Sequence, residues 1–176
     1  VGRSGEDAGL ILAGARHPDL GYVGDVRSVN PSILEKLLAE RLVPVVSTIG
    51  SDPTGQPYNI NADTVAGAIA EALGAEKVLF LTDVPGLLAD VDDPSSLISR
   101  IDADELQAMV DEGRLAGGMI PKVAAALHAV RHGVASAHLL DGRVPHVLLL
   151  ELFSDEGVGT MITAGAAGGP AGEGSP

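Results

Sequence analysis

Residues 61–82, NADTVAGAIAEALGAEKVLFLT, carry a helix signal followed at once by a strand signal, and that succession decides the fold. Asn61 stands where a short polar side chain can cap free backbone N–H groups. Val65, Ile69 and Leu73 then recur every four residues, marking one face of a helix. Gly74 is placed to end it, because glycine tolerates the left-handed conformation at a helix terminus. Lys77 to Thr82 is a short apolar run and predicts a buried strand.

The same alternation extends in both directions. Upstream, Asn30-Pro31 is a helix start, with Ile33, Leu34, Leu37 and Leu38 on one face. The β-branched run from Val43 to Ile49 predicts a second buried strand. Residues 1–28 are Gly- and Asp-rich with short apolar runs (Leu10-Ile11-Leu12, Tyr22-Val23), as expected of short strands and turns. Downstream, Asp102 and Glu105 form a D-x-x-E capping signal for a helix that stops near Gly113. Gly117-Gly118 precede another helix, with Pro121 in its first turn and Ile120, Val123, Leu127 and Val130 inward. Ser136 to Leu140 and His146 to Leu150 read as the last two strands. Residues 163–176 are Ala, Gly, Pro and Glu without periodicity and are expected to be disordered.

Helices alternating with strands imply an α/β, three-layer αβα sandwich around a mostly parallel open sheet, in one domain over residues 1–162. Ligands in such folds sit at the carboxyl ends of strands beside helix N-termini. Loops 49–63, 82–88 and 114–122 are therefore the places to look.

Composition narrows the function. A formal net charge of −13 opposes a nucleic-acid partner, whose phosphates need clustered cations. Two Tyr, two Phe and no Trp leave no base-stacking platform. The absence of cysteine removes disulfides and thiolate metal sites, and suits a cytoplasmic enzyme. No apolar run approaches the roughly 20 residues of a membrane span. The chain opens on Val1 rather than Met, which reads as a cut end.

Three segments carry candidate chemistry. Lys122 lies in the first turn of a helix, where the helix dipole disfavours a cation unless an anion binds there too. Gly117 and Gly118 would let backbone approach that anion. An ordinary surface lysine fits the same position. Asp63, in the first turn after Asn61, is stabilising there in any protein. Its neighbours Asn59 and Asn61 add two neutral amides within five residues, suited to orienting cations beside phosphates. Thr82-Asp83-Val84-Pro85-Gly86-Leu87 closes a strand with either a nucleotide-facing turn or an ordinary one.

Sharper metal motifs fail. His128 and His132 are four apart, yet the Glu of H-E-x-x-H and a third ligand are not evident, so no metal site is predicted. Asp90, Asp92 and Asp93 lack the Gly and Glu of an EF-hand. There is no P-loop and no G-x-S-x-G elbow.

Taken together, Asn59-Ile60-Asn61-Ala62-Asp63, residues 82–87 and Gly118-Met119-Ile120-Pro121-Lys122 resemble the amino-acid kinase family. The N-I-N-A-D form is similar to its N-acetylglutamate kinase branch. The likeness covers roughly residues 2–162, including Ser4-Gly5-Glu6-Asp7-Ala8 and Tyr22-Val23-Gly24-Asp25-Val26. It implies a carbamate kinase-like fold and, for residues 1–162, an ATP-binding lobe with the end of a substrate lobe. It implies transfer of the ATP γ-phosphoryl group to the γ-carboxylate of N-acetyl-L-glutamate in arginine biosynthesis, with Mg²⁺ carried by the nucleotide phosphates. Under that resemblance Asp63 organises the catalytic lysines and Lys122 stabilises the moving phosphoryl group. Asn59 and Asn61 would bind substrate. Thr82, Asp83, Val84, Gly86, Leu87, Leu88, Arg114, Leu115 and Met119 would join Lys122 around ATP.

Ser136 to Val144, Glu151-Leu152-Phe153 and Gly157-Val158-Gly159-Thr160 resemble the arginine-inhibited members, which implies an effector site at His138, Glu151 and Gly157. Core packing for His138 and a surface carboxylate for Glu151 are the plain alternatives. The family's homo-oligomers are dimers or hexamers, the latter assembled through an N-terminal helix that this chain lacks. Its N-terminal lobe also carries a Lys-Gly-Gly phosphate loop, a Gly-Gly-Gly-Pro substrate loop and a substrate-binding Arg, none of which occurs here. The isolated chain is therefore expected to bind ATP but to show little turnover. UMP kinase, aspartokinase, glutamate 5-kinase and carbamate kinase share the fold, and a non-catalytic nucleotide- or arginine-binding module is the reading from another class.

Overall fold

A computed structural model describes residues 1–165 other than 91, 94, 116, 155 and 156. Of the tail expected to be disordered, residues 166–176 lie outside the described residues, and Thr163 belongs instead to the last strand. Along the chain run β1 (Gly2–Ser4), β2 (Ile11–Ala15), β3 (Val23–Val29), α1 (Ser32–Ala39), β4 (Val45–Ser47), β5 (Ile49–Ser51) and β6 (Pro57–Ile60). Then follow α2 (Ala62–Ala72), β7 (Lys77–Thr82), β8 (Arg100–Asp102), α3 (Ala103–Asp111), α4 (Met119–Arg131), β9 (Ser136–Asp141), α5 (Val147–Phe153) and β10 (Thr160–Thr163).

The α/β class and the predominance of parallel pairs agree with the sequence reading, although the strands divide into three groups. β7, β9, β10 and β8 lie side by side in that order, with β9–β10 the one antiparallel pair. β2, β3, β6 and β5 close into a small ring, and β1 pairs with β4 alone. Ala137 and Leu139 of β9 face the core beneath α4. The alternate residue His138 points to the other face, where it meets Glu151 of α5. Helices thus cover both sides of this sheet.

α2 is the wall between two cores. Its Ala66 and Ala70 pack into a cluster with Phe80, Leu106, Val123 and Leu139. Its Val65, Ile69 and Leu73 pack with Leu10, Ile11, Leu34 and Ile60 around the strand ring. Asn61 caps the helix, accepting from the Asp63 and Thr64 N–H groups at 2.9 and 3.2 Å. Gly74 ends it at φ 59°. Gly67 meets α4: a Cβ there would lie 3.3 Å from the Ala125 carbonyl oxygen, so a bare backbone is what lets the two helices approach.

Several expectations are corrected. His146 to Leu150 is no strand; His146 takes a left-handed conformation (φ 60°) and opens α5. A continuous apolar run is ambiguous between helix and strand, because period is the only local signal. The last strand is instead β10. Val43 to Ile49 is interrupted at Thr48 and split between β4 and β5, with Val43 and Val45 largely exposed because β4 has only β1 as neighbour. β7 is an edge strand: Val78 and Phe80 are buried, whereas Leu81 is about half exposed. Ile120 also faces outward, while Val123, Leu127 and Val130 are buried as expected.

Burial separates two leucines of similar sequence context. Leu139→Ala, in fully buried β9, should cost about 2–5 kcal/mol in urea unfolding. Leu148→Ala, on the exposed side of α5, should change stability by no more than about 0.5 kcal/mol. Equal losses would contradict the helical placement of residues 147–153.

Candidate active site

The N-termini of α2 and α4 converge, and a carboxylate and an ammonium meet between them. Lys122 Nζ donates to both oxygens of Asp63, at 2.9 and 3.0 Å, with each side chain about four-fifths buried. Lys122 is thereby explained: the cation sits at an unfavourable helix end because Asp63, favourable at its own, holds it there. The first turn of α4 has no side-chain cap; its Ile120 N–H donates to the Gly117 carbonyl at 3.3 Å and Pro121 has no N–H.

Beside that helix start lies a cleft of about 270 Å³. Thr82, Asp83, Val84, Gly86, Leu87 and Leu88 form one wall, and Arg114, Leu115, Gly117, Gly118 and Met119 the other. Every residue assigned to ATP by resemblance lines it, apart from Lys122, which lies one turn further along α4. Residue 116 lies outside the described residues. The 82–88 turn is pinned from beneath. Thr160 Oγ1 accepts from the Leu87 N–H at 2.9 Å and donates to the Ile98 carbonyl at 2.7 Å. Gly86 (φ 152°) passes so close that a Cβ would lie 2.7 Å from Thr160 Oγ1. Arg114 donates to the Ala89 carbonyl at 3.2 Å, tying the two walls together.

Asn59 is exposed on β6, and the Asn61 carbonyl oxygen is committed to capping α2, leaving its amide NH₂ free. Both precede Asp63 directly in the chain.

The structure also brings in residues that the sequence reading had placed only in the effector block. Thr82 and Asp141 end neighbouring parallel strands. Arg143 folds back on Asp141, donating to both its oxygens at 2.8 Å, and is further drawn by Asp83. Those hydrogen bonds hold the Asp141 carboxyl down to about 2. Their sequence signal was a charged Asp-Gly-Arg turn closing a buried strand.

His138, Glu151 and Gly157 are brought together too, around a separate cavity of about 350 Å³. His138 Nδ1 lies 2.6 Å from Glu151 Oε1, Ser136 Oγ lies 2.9 Å from His138 Nε2, and Glu151 Oε2 accepts from the Val158 N–H at 2.8 Å. Glu151 is buried rather than a surface carboxylate. A Cβ on Gly157 (φ 42°) would lie 3.4 Å from Glu151 Oε2. The cavity walls also include Lys77, Ser99 and Arg100.

Residues 2–141 match the amino acid kinase family, and the chain belongs to that family. Within it, the chain is 57% identical to the acetylglutamate kinase of Symbiobacterium thermophilum over 172 residues, 92% of this chain and 58% of that relative. It therefore spans somewhat more than half the length of such relatives. Among solved structures it superposes on N-acetylglutamate synthase from Neisseria gonorrhoeae complexed with coenzyme A and N-acetyl-glutamate (TM-score 0.79, 24% identity, 93% of this chain, 37% of that one). It also superposes on carbamate kinase from Giardia lamblia bound to AMP-PNP (TM-score 0.64, 18% identity, 80% of this chain, 46% of that one). These two likenesses establish the shared fold.

The Asp141–Arg143 pairing has a pH signature. A carboxylate with a depressed pKa contributes stability in full above its ordinary value of 3.8, and loses it as pH falls through about 2. Carboxyl NMR titration should place the Asp141 midpoint near 2, and Arg143→Ala, which keeps the backbone N–H bond at that residue, should raise it toward the ordinary range. A native midpoint near 3.8 would rule the pairing out.

Proposed function

We propose that this chain supplies the ATP-binding half of an N-acetyl-L-glutamate kinase of arginine biosynthesis, a cytoplasmic enzyme. The observation that carries this reading is the cleft of about 270 Å³ opening beside the start of α4, with Lys122, one turn along that helix, held by Asp63. Val84, Leu87, Leu88, Leu115 and Met119 offer apolar contacts to a purine ring. Gly117 and Gly118, which carry no side chain, let the backbone approach phosphates at the start of α4.

In the reaction, a γ-carboxylate oxygen of the acceptor bonds to the γ-phosphorus as the bond to the ADP oxygen breaks, giving an acyl phosphate and ADP. Positioning and charge stabilisation dominate such a transfer. Lys122 neutralises charge on the passing phosphoryl oxygens, and Asp63 is the positioning residue that aims it. Asp83 is the one carboxylate among the described residues lining the cleft. That fits Mg²⁺ bound mainly through phosphates and water, where it would neutralise phosphate charge. Asn59 and the free amide of Asn61 stand where the acceptor would enter.

The same reading makes the His138–Glu151–Gly157 cavity the site of arginine inhibition, with Glu151 facing the guanidinium or ammonium end. Homo-oligomerisation of the complete polypeptide, as a dimer or hexamer, completes the proposal.

Measured in the complete natural polypeptide, ADP release should be driven by N-acetyl-L-glutamate and not by UMP, aspartate, glutamate or carbamate. Lys122→Ala should lower kcat roughly 10²–10³-fold. A rise in the KM for ATP with kcat intact would indicate a nucleotide-binding module instead. The isolated 176-residue chain should bind Mg²⁺–AMP-PNP while giving little ADP release with acetylglutamate, and normal turnover there would overturn the half-site assignment. Glu151→Gln should abolish inhibition by arginine at unchanged uninhibited rate.

A further inference from the structure

At the opposite ends of the two helices that carry Asp63 and Lys122, three potential ligands gather. His128 and His132 are one turn apart on α4 and its cap, and Glu71 comes from the last turn of α2. One donor atom from each lies within 4.8 Å of the others. The third ligand that the sequence spacing of the histidines does not reveal is thus delivered by the neighbouring helix. We propose that Glu71, His128 and His132 bind a divalent cation of the zinc class, with water completing the coordination.

Four features support a cation of that class. First, the spacing is right. His128 Nε2 and Glu71 Oε2 are 3.2 Å apart, and two ligands of one tetrahedral zinc ion lie about 3.4 Å apart at bond lengths of about 2.0–2.2 Å. Second, His132 is oriented for ligation. Its Nδ1 lies 2.7 Å from the His128 carbonyl oxygen, which can only accept, so Nδ1 carries the proton and the Nε2 lone pair is free. Third, the carboxyl ends of α2 and α4 both converge here, and their dipoles favour a cation. Fourth, Arg131, the basic residue beside His132 on α4, is engaged by Gln107, the Ala103 carbonyl and Asp104. Two imidazoles with one carboxylate favour zinc, nickel or copper over calcium or magnesium.

Gly67 lies one turn before Glu71, against the Ala125 carbonyl of α4, in the same stretch of helix contact that sets Glu71 beside His128. A bound ion would clasp the α2–α4 pair roughly 9–12 Å along the helices from Asp63 and Lys122. It would hold that pair together without touching the nucleotide cleft.

The test uses untagged protein, so that no added histidines compete. Titration with Zn²⁺ by calorimetry, and with Co²⁺ by visible absorption, should each show one saturable site and a tetrahedral Co²⁺ band. Zn²⁺ should also raise the Tm. Glu71→Gln and His132→Ala should each weaken binding by at least about 10-fold, and the double variant H128A/H132A should lose it together with the Tm shift. Circular dichroism confirms that the variants are folded. Absence of saturable binding by the parent chain, or binding that the double variant keeps, would overturn the proposal, the latter by assigning the ion elsewhere. Because the readouts are binding and Tm rather than kinase activity, failure here leaves the proposed phosphoryl transfer standing.

Discussion

The close contact of α2 with α4 at Gly67 and Ala125 is the constraint on which the rest depends. A side chain at residue 67 would have to push the Ala125 carbonyl away by a few tenths of an ångström or more. Without one, the two helices lie near enough for their N-terminal residues to bond directly. The Asp63–Lys122 pair is therefore a consequence of backbone packing as much as of charge. Its two oxygens lie at nearly equal distance from Nζ, a bidentate contact between side chains that are each about four-fifths buried.

That arrangement also reconciles electrostatics that oppose each other locally. An ammonium in the first turn of α4 is disfavoured by the helix dipole, and no side chain caps that helix start. Either feature alone costs stability. Asp63 offsets the first by holding the ammonium with a fixed aim, and an anionic ligand at the helix start would offset the second. Phosphoryl transfer needs this kind of preorganised charge, because reorganising dipoles during the reaction raises the barrier. The anchoring of the 82–88 turn by Thr160 supplies the facing wall with comparable rigidity.

Sequence period and capping reveal α2, α3 and α4 because each carries both a start signal and an amphipathic stripe. Asn61 and Asp102 cap the first two through their side chains, as their positions imply. Legibility fails where a local signal has two meanings. Val147 to Leu150 is apolar without alternation, and only the left-handed turn at His146, invisible in composition, makes it a helix. Val43 to Ile49 has strand chemistry, but burial depends on how many strands flank it, a property of topology rather than of the run. The residues around the cleft were named together by family motifs, while the Asp141–Arg143 pairing needed the register of β7 against β9.

The histidines of α4 show most clearly why geometry adds what spacing cannot. His128 and His132 are separated by one helical turn, which places them on one face in any helix. Whether that face meets a carboxylate depends on the neighbouring helix, on its rotation, and on the distance of approach. All three are set by Gly67, four residues before Glu71, and by the core on the other side of α2 that fixes its rotation through Val65, Ile69 and Leu73. The one helix pair thus presents an acid and a lysine at its N-terminal end, and an acid with two imidazoles at its C-terminal end. A change at Gly67 should disturb both ends at once, whereas a change at either end should leave the other intact. That asymmetry identifies the helix pair as the shared element.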